Sequence, residues 1–152
     1  MADTERTYIM LKPDCVKRGL IGEVISRIEK KGYQITAMKM MTLDEPILRE
    51  HYAHIAGEDW FPLMLDYMMS GPVVAMIVEG EDAILGMRRL MGPTINANAP
   101  AGTIRGDLTY SNRYNIIHGS DSPESAAREI GIFFKPEELV EYTKDSDKWL
   151  YE

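Results

Sequence analysis

One histidine, His118, stands between a short apolar run and a cluster of small polar residues. The segment over residues 115–121 reads Asn-Ile-Ile-His-Gly-Ser-Asp. Ser122, Pro123 and Glu124 follow it with the residue types that begin a helix: a cap, a proline at the first position and an acidic first turn. A neutral imidazole can act as a base, a metal ligand or a nucleophile. Since a lone histidine is more often structural, its surroundings must decide.

Six further segments accompany this histidine along the chain. They are residues 8–14 (Tyr-Ile-Met-Leu-Lys-Pro-Asp), 18–23 (Arg-Gly-Leu-Ile-Gly-Glu), 70–76 (Ser-Gly-Pro-Val-Val-Ala-Met), 102–107 (Gly-Thr-Ile-Arg-Gly-Asp), 134–139 (Phe-Lys-Pro-Glu-Glu-Leu) and 149–152 (Trp-Leu-Tyr-Glu). With these motifs in this order, the chain resembles the nucleoside diphosphate kinases from about residue 6 to its end. Several separate motifs in order are far more specific than any one of them.

The resemblance implies that His118 is a nucleophile that passes the terminal phosphate from one nucleotide to another. Phosphoryl transfer needs an in-line nucleophile and fixed positive charge around the phosphate oxygens. A neutral imidazole suits this, because no proton must leave before it attacks. Three cations match the family's phosphate ligands: Lys12, Arg88 and Arg105. Any one of them alone would pass for a solvated surface charge, but together with the motif at residues 115–121 they are interpreted as a phosphate clamp.

Five polar residues match other family positions. The resemblance implies that Thr94 and Asn115 contact phosphate and sugar, although loop capping and a turn before the strand are the alternative roles. It also implies that Tyr52 and Glu129 position the histidine, with Glu129 orienting the ring, and that Ser120 supplies a hydroxyl near the phosphate and Glu129. A glutamate on a helix surface is otherwise usually just solvated.

Trp60 occupies a place where the family commonly has phenylalanine, so we expect it to stack on the nucleotide base. Stacking accepts any base, which predicts broad specificity for purine and pyrimidine nucleotides. The alternative for an aromatic residue here is ordinary core packing, as for the neighbouring Phe61. We expect Mg²⁺ to arrive with the phosphates, held by their oxygens and by water, with no metal ligand from the protein.

Composition is typical of a compact cytoplasmic enzyme. A chain of 152 residues with 45% hydrophobic content fits one domain over residues 1–152. The single cysteine, Cys15, excludes an internal disulfide and favours a reducing compartment. The longest apolar run, residues 73–78, is too short for a membrane span, and we expect no signal peptide or anchor. A net charge of −7 and a pI near 5.0 disfavour nucleic-acid binding, so a local basic pocket must receive the nucleotide.

The elements that must hold these residues follow from periodicity. Strands are predicted over residues 7–11, 33–43, 73–79 and 116–118. Helices are predicted over residues 21–31, 46–52, 62–69 and 83–91, and after Ser122. The order β-α-β-α-α-β-α-β-α fits an antiparallel sheet covered by helices. The resemblance implies an α/β (α+β) fold of the ferredoxin-like βαββαβ type, with a four-stranded antiparallel sheet.

The stretch over residues 92–115 carries little strand or helix pattern. Long loops of this kind are either functional or disordered. Ile95, Ile104, Leu108 and Tyr110 count against disorder as expected apolar anchors. The resemblance implies a folded loop that helps to form the nucleotide cleft and touches neighbouring subunits.

The sequence departs from the family in this loop. Asn112-Arg113-Tyr114 stands where an aliphatic residue and Gly-Arg are common, and residues 95–97 (Ile-Asn-Ala) replace a frequent Asn-Pro-Ala. Residues 101–103 (Ala-Gly-Thr) replace Pro-Gly-Thr. These changes affect the far wall of the base site and the subunit-contact loop. We expect a homo-oligomer: the tail over residues 149–152 favours a hexamer, and a tetramer is the alternative.

Two other functions compete with the enzyme. A non-enzymatic nucleotide-binding or regulatory scaffold on the same fold would bind nucleotides without turnover, and the altered loop and Trp60 motivate it. A nucleic-acid binder is disfavoured by the acidic balance. Because every expected catalytic residue is present, the sequence favours the kinase.

Overall fold

The computed structural model describes residues 4–152, and its centre is one four-stranded sheet. The strands are β1 (Thr4–Leu11), β2 (Gln34–Met41), β3 (Val73–Glu81) and β4 (Ile117–Gly119). Their order across the sheet is β2-β3-β1-β4, and every pairing is antiparallel. The predicted α+β fold with a four-stranded antiparallel sheet is therefore confirmed.

Seven α-helices connect and cover the strands. They are α1 (Pro13–Lys17), α2 (Ile21–Lys31), α3 (Glu45–His51), α4 (Phe61–Met68), α5 (Ala83–Met91), α6 (Ile104–Leu108) and α7 (Pro123–Phe133). Five of these were predicted to within a few residues; α1 and α6 were not, because each spans only five residues and cannot show a helical period. Short 3-10 helices lie at Ala53–Ile55, Asn96–Asn98, Pro136–Glu138 and Asp145–Trp149. No helix over residues 4–152 is long and apolar enough to cross a membrane.

Local chemistry sets the ends of the two longest helices. Gly32 ends α2 in the left-handed region, with φ of 114°, where a side chain would be strained. Ser122 begins α7 as predicted: its hydroxyl accepts a hydrogen bond from the Ser125 N–H at 3.1 Å. Pro123 then occupies the first helical position.

Two apolar cores lie on opposite faces of the sheet, because successive residues of a strand point to opposite sides. Tyr8 and Met10 belong to the core beneath α3, α4 and α7. Ile9 and Leu11 belong to the other core, which α2 and α5 cover. Tyr8 stacks on Phe133 of α7 with ring centroids 4.5 Å apart, which fixes α7 against β1.

The register of β1 and β4 decides which face His118 occupies. Met10 pairs directly with His118, and directly opposed residues in an antiparallel pair point to the same side. His118 therefore lies on the face that α3, α4 and α7 cover. Lys12 follows β1 at the position that points to this same face.

The loop over residues 92–115 is folded, as its apolar content predicted. Ile104 is fully buried in the core and Leu108 packs against it. The expectation was wrong for Ile95 and Tyr110, which are 49% and 98% exposed. Polar contacts anchor the loop instead: Asn96 donates through Nδ2 to the carbonyl oxygen of Thr109 at 2.9 Å.

Candidate active site

A cavity of about 670 Å³ opens on the side of the sheet where His118 lies. Eight of the ten predicted site residues line it: Lys12, Tyr52, Arg88, Thr94, Arg105, Asn115, His118 and Glu129. These residues come from six separate parts of the chain, and the fold brings them together around one space. Two further residues, Ser120 and Trp60, do not line it.

His118 lies in β4 with its ring bound to Glu129. The distance from His118 Nε2 to Glu129 Oε1 is 2.8 Å, and the side chain is 20% exposed. Burial lowers the pKa of His118 below its ordinary value, although Glu129 acts in the opposite direction. The ring is therefore neutral at neutral pH. With the Nε2 proton donated to the carboxylate, the free lone pair is on Nδ1.

Glu129 is itself held from behind. Its side chain is 7% exposed on α7, and the Ser120 hydroxyl donates to its Oε1 at 2.8 Å. Ser120 is fully buried behind the cavity wall, where its Oγ also accepts from the main-chain N–H of Tyr8 at 3.2 Å. The Glu129 carboxylate is thus held by its position on α7 and, through Ser120, by β1. The carboxylate in turn holds the ring of His118.

Lys12 places a buried ammonium group at the cavity. Its Nζ donates to Asn115 Oδ1 at 2.8 Å, and the residue is 6% exposed. Burial first, and the charge of Arg105 second, lower the pKa of Lys12 to about 8, while Asp14 acts in the opposite direction. At pH 7 the Lys12 ammonium group is charged, but burying that charge is unfavourable. An anion that enters the cavity would offset this penalty, so its binding is favoured.

Arg105 and Arg88 hold the strand on either side of His118. Arg105 Nη2 donates to the carbonyl oxygen of Ile117 at 2.6 Å, and Arg88 Nη1 donates to that of Gly119 at 3.0 Å. Burial and the charge of Arg88 lower the pKa of Arg105 to about 10. The Arg105 guanidinium therefore remains charged at neutral pH, and both arginines fix the main chain around His118.

Arg105 also organises the loop. It donates to the carbonyl oxygen of Gly92 through Nη1 at 2.9 Å and to that of Asn115 through Nε at 3.3 Å. Sequence reasoning assigned this arginine to phosphate alone. The structure shows that the same group closes the loop over residues 92–115.

Tyr52 and Thr94 complete the predicted polar lining. Tyr52 is 7% exposed, and its hydroxyl has no hydrogen-bond partner among residues 4–152. Burial raises the pKa of Tyr52, so the phenol stays protonated and can donate. Thr94 lies exposed at the rim.

Trp60 lies immediately before α4 and is 46% exposed. It does not line the cavity, although Met64 of α4 does. Its stacking role therefore stays a prediction.

Asn112, at which the sequence departs from the family's usual pattern, has a structural role. Its Oδ1 accepts from the Asn96 N–H at 2.6 Å, and its carbonyl oxygen accepts from Asn115 Nδ2 at 3.1 Å.

Four residues that sequence reasoning missed also line the cavity: His51, His54, Asp121 and Arg128. The ring of His51 lies 4.8 Å from that of His118, measured between centroids. Burial lowers the pKa of His51 to about 2, so this ring is uncharged. The sequence gives one signal for two of these four residues: His51 directly precedes the predicted Tyr52, and Arg128 directly precedes the predicted Glu129.

The electrostatics of the cavity favour an anion. Four cationic side chains line it, namely Lys12, Arg88, Arg105 and Arg128, against two acidic ones, Asp121 and Glu129. One ring nitrogen from each of His51 and His118 and one carboxylate oxygen of Glu129 lie within 4.8 Å of one another, but Glu129 Oε1 already accepts from His118 Nε2 and from the Ser120 hydroxyl. With the surrounding positive charge, the arrangement fits phosphate groups better than a resident metal ion.

A second cavity, of about 500 Å³, lies beyond the other end of β1. Among residues 4–152, its lining has three acidic side chains, Glu79, Glu141 and Asp147, and a single cation, Arg6. Its acidic lining contains no histidine, so it lacks both the nucleophile and the charge that a nucleotide requires.

Comparison with known proteins agrees with the site. The profile of the family described as nucleoside diphosphate kinase matches residues 5–139. A nucleoside diphosphate kinase from Desulforamulus reducens is 51% identical over 97% of this chain and 99% of its own length. Nucleoside diphosphate kinase A of Homo sapiens is 49% identical over the whole of both chains.

A solved structure has the same fold. The halophilic nucleoside diphosphate kinase from Halobacterium salinarum, in complex with CDP, superposes with a TM-score of 0.95 and is 43% identical. The match covers 99% of this chain and 100% of the other.

Proposed function

Because the chain belongs to the nucleoside diphosphate kinase family, we propose that it transfers the terminal phosphate of a nucleoside triphosphate to a nucleoside diphosphate through phosphorylated His118. Family membership makes the chain a nucleotide phosphotransferase. The observation that supports the route is the bond from His118 Nε2 to the buried Glu129, which leaves Nδ1 with its lone pair beside the cations of the cavity.

The transfer has two half-reactions. In the first, His118 Nδ1 attacks the terminal phosphorus of the triphosphate, the N–P bond forms, and the bond from phosphorus to the bridging oxygen breaks. The electron pair leaves with the diphosphate product. The ring gains positive charge, which Glu129 stabilises across 2.8 Å. A second diphosphate then attacks the phosphohistidine, and the same steps run in reverse.

The polar lining supplies the remaining contacts. We assign Lys12, Arg88 and Arg105 to the phosphate oxygens, because a loose transition state spreads its charge over them. The unpartnered Tyr52 hydroxyl is a donor for the transferred phosphate. Thr94 and Asn115 are assigned to phosphate and sugar, and Ser120 to the orientation of Glu129.

Trp60 is assigned to the base as a stacking surface outside the cavity. Stacking does not discriminate between bases, so we expect purine and pyrimidine nucleotides to be accepted alike. The Halobacterium salinarum relative binds CDP, a pyrimidine nucleotide, which agrees with this assignment.

Mg²⁺ is proposed to enter with the nucleotide. Glu129 Oε1 already accepts from His118 and Ser120, and four cations line the cavity, so phosphate oxygens and water would hold the ion. Bound in this way, Mg²⁺ would neutralise phosphate charge.

For the molecule as a whole, we propose one domain over residues 1–152 that acts in the cytoplasm as a homo-oligomer, hexameric before tetrameric. Both apolar cores share one sheet, which supports a single domain. Cys15 is a buried free thiol, which agrees with a reducing compartment. The net charge of −7 disfavours nucleic acid as a partner.

Phosphate labelling tests the proposal. With γ-labelled ATP, the wild-type chain should acquire an acid-labile, base-stable label that GDP removes as labelled GTP. The His118→Ala variant should acquire none, while His54→Ala, which removes another histidine of the cavity lining, should be labelled like the wild type. Full transfer activity in His118→Ala would contradict the route. Nucleotide binding without label in the wild type would instead support the scaffold.

A further inference from the structure

His51 is a buried histidine for which the transfer chemistry gives no role. It ends α3 and is 1% exposed. Four aromatic rings surround it at centroid distances of 4.4 to 6.0 Å: Tyr8, Tyr52, His118 and Phe133. The ring of His118 meets it at 77°, in an edge arrangement. His51 therefore lies directly against the nucleophile.

Neither ring nitrogen of His51 has a hydrogen-bond partner among residues 4–152. Burying a polar atom without a partner is destabilising, and a phenylalanine in the same aromatic surroundings would avoid that penalty. A neutral imidazole carries one N–H donor. Its presence among these four rings, at the wall of the cavity, indicates that the donor has a partner in another state of the site.

We propose that His51 is a positioning residue for phosphoryl transfer, whose ring N–H is donated to the Glu129 carboxylate when His118 carries the phosphate. The inference rests on the proposed function. One ring nitrogen from each of His51 and His118 and one carboxylate oxygen of Glu129 lie within 4.8 Å of one another, so a rotation of the His51 side chain would bring its N–H within hydrogen-bond distance of that acceptor. The phosphorylated ring is positively charged, and a second donor keeps Glu129 fixed beside it.

The main chain of His51 is already bound to α7, the helix that carries Glu129. Arg128, which precedes Glu129 on α7, donates through Nη2 to the carbonyl oxygen of His51 at 3.0 Å and through Nη1 to that of Glu50 at 2.9 Å. One turn of α7 thus holds the backbone of His51 and the ring of His118 together. Only the side chain of His51 must move to reach the carboxylate.

Two substitutions at His51 separate hydrogen bonding from packing. His51→Gln keeps an N–H without an aromatic ring, whereas His51→Phe keeps a ring without an N–H. The rates of phosphorylation by ATP and of dephosphorylation by GDP are measured in single turnovers on the full chain, with nucleotide affinity measured separately. We expect His51→Phe to slow both steps about tenfold or more, with nucleotide affinity unchanged, and His51→Gln to recover most of the rate.

Thr36→Val is the matched control, because Thr36 is also buried, its hydroxyl also has no hydrogen-bond partner among residues 4–152, and it does not line this cavity; both rates should be unchanged in it. If the larger ring of His51→Phe prevents folding, His51→Leu replaces it in the comparison with His51→Gln, because leucine also lacks a side-chain N–H. Wild-type rates in His51→Phe would overturn the inference, as would equal slowing by Gln and Phe. If the wild type itself takes up no label, the proposed function fails instead.

Discussion

At the scale of single residues, the nucleophile is held on three sides. Glu129 binds the ring of His118 at Nε2, and Arg105 and Arg88 bind the carbonyl oxygens of the residues before and after it. Such fixation reduces the motion that must be lost before Nδ1 can attack in line. In the proposed route, the arginines would therefore act through the main chain as well as through their charge.

The pKa of Lys12, about 8, predicts a loss of activity on the alkaline side. Above pH 8 the ammonium group loses its proton and no longer attracts phosphate. We expect kcat/KM for ATP, which reports the free enzyme, to fall about tenfold between pH 7 and pH 9. The charged groups that act on Lys12 are Arg105 and Asp14, and the pKa of Arg105, about 10, lies above this range.

Unfolding would not explain that loss. The pKa of Lys12 is lower in the folded chain than its ordinary value of 10.5, so the unfolded chain binds more protons between the two values. The contribution of Lys12 to stability therefore rises as pH rises from 8 to about 10. Lys12→Arg keeps its charge in this range and should lose the pH dependence, even where its rate is lower. A profile identical to the wild type would contradict this role of Lys12.

At the scale of secondary structure, α7 connects folding to function. It carries Glu129, packs Phe133 on Tyr8 of β1, and holds α3 through Arg128. Its first turn depends on Ser122, whose hydroxyl accepts the Ser125 N–H. The stability of this one helix therefore affects the sheet, the carboxylate and the neighbouring helix together.

Ser122→Ala should lower the free energy of unfolding by about 1 kcal/mol, because it removes the N-cap of α7. Urea unfolding at a fixed protein concentration measures the change. Ser146→Ala, at an exposed position in the 3-10 helix Asp145–Trp149, is the control and should have no comparable effect. Equal stability of Ser122→Ala and the wild type would show that the cap is not needed.

Sequence reasoning succeeded at this scale where a period or a motif was long enough to be distinctive. The strands and the five longer helices show such periods, and the resemblance carried by the motifs predicted residues that the fold brings together around His118. Helix α6 was not predicted, because its five residues are too few to show a helical period. Ile95 and Tyr110 were wrongly predicted to anchor the loop, since both side chains face solvent. His51 was missed because only the tertiary fold places it against His118.

At the scale of the whole molecule, a net charge of −7 coexists with a cavity lined by four cations. The net negative charge disfavours binding of nucleic acid, while the local positive field of the cavity attracts a phosphate.

The outer strand β2 is a second feature at this scale. Among the described residues no other strand pairs with its outer edge, although the Val140 N–H donates to the carbonyl oxygen of Thr36 at 2.8 Å, and its Met38 and Met40 are 56% and 59% exposed.

An exposed edge strand with apolar side chains is typical of an interface. We expect the double substitution Met38→Glu with Met40→Glu to reduce the assembled species, as measured by analytical ultracentrifugation against the 17.3 kDa mass of one chain. Leu85→Glu, at a similarly exposed apolar residue on α5, is the control. Dissociation by Leu85→Glu alone would place the interface on α5 instead.

The exposure of His118 also limits how long the chain can store a phosphate. A side chain that is 20% exposed and reachable by a nucleotide is reachable by water as well. In the proposed route, phosphohistidine formed there decays by hydrolysis whenever no diphosphate arrives, and each decay converts one nucleoside triphosphate into its diphosphate and inorganic phosphate without forming a new triphosphate. The lifetime of the phosphorylated chain therefore sets the lowest acceptor concentration at which transfer remains faster than this loss.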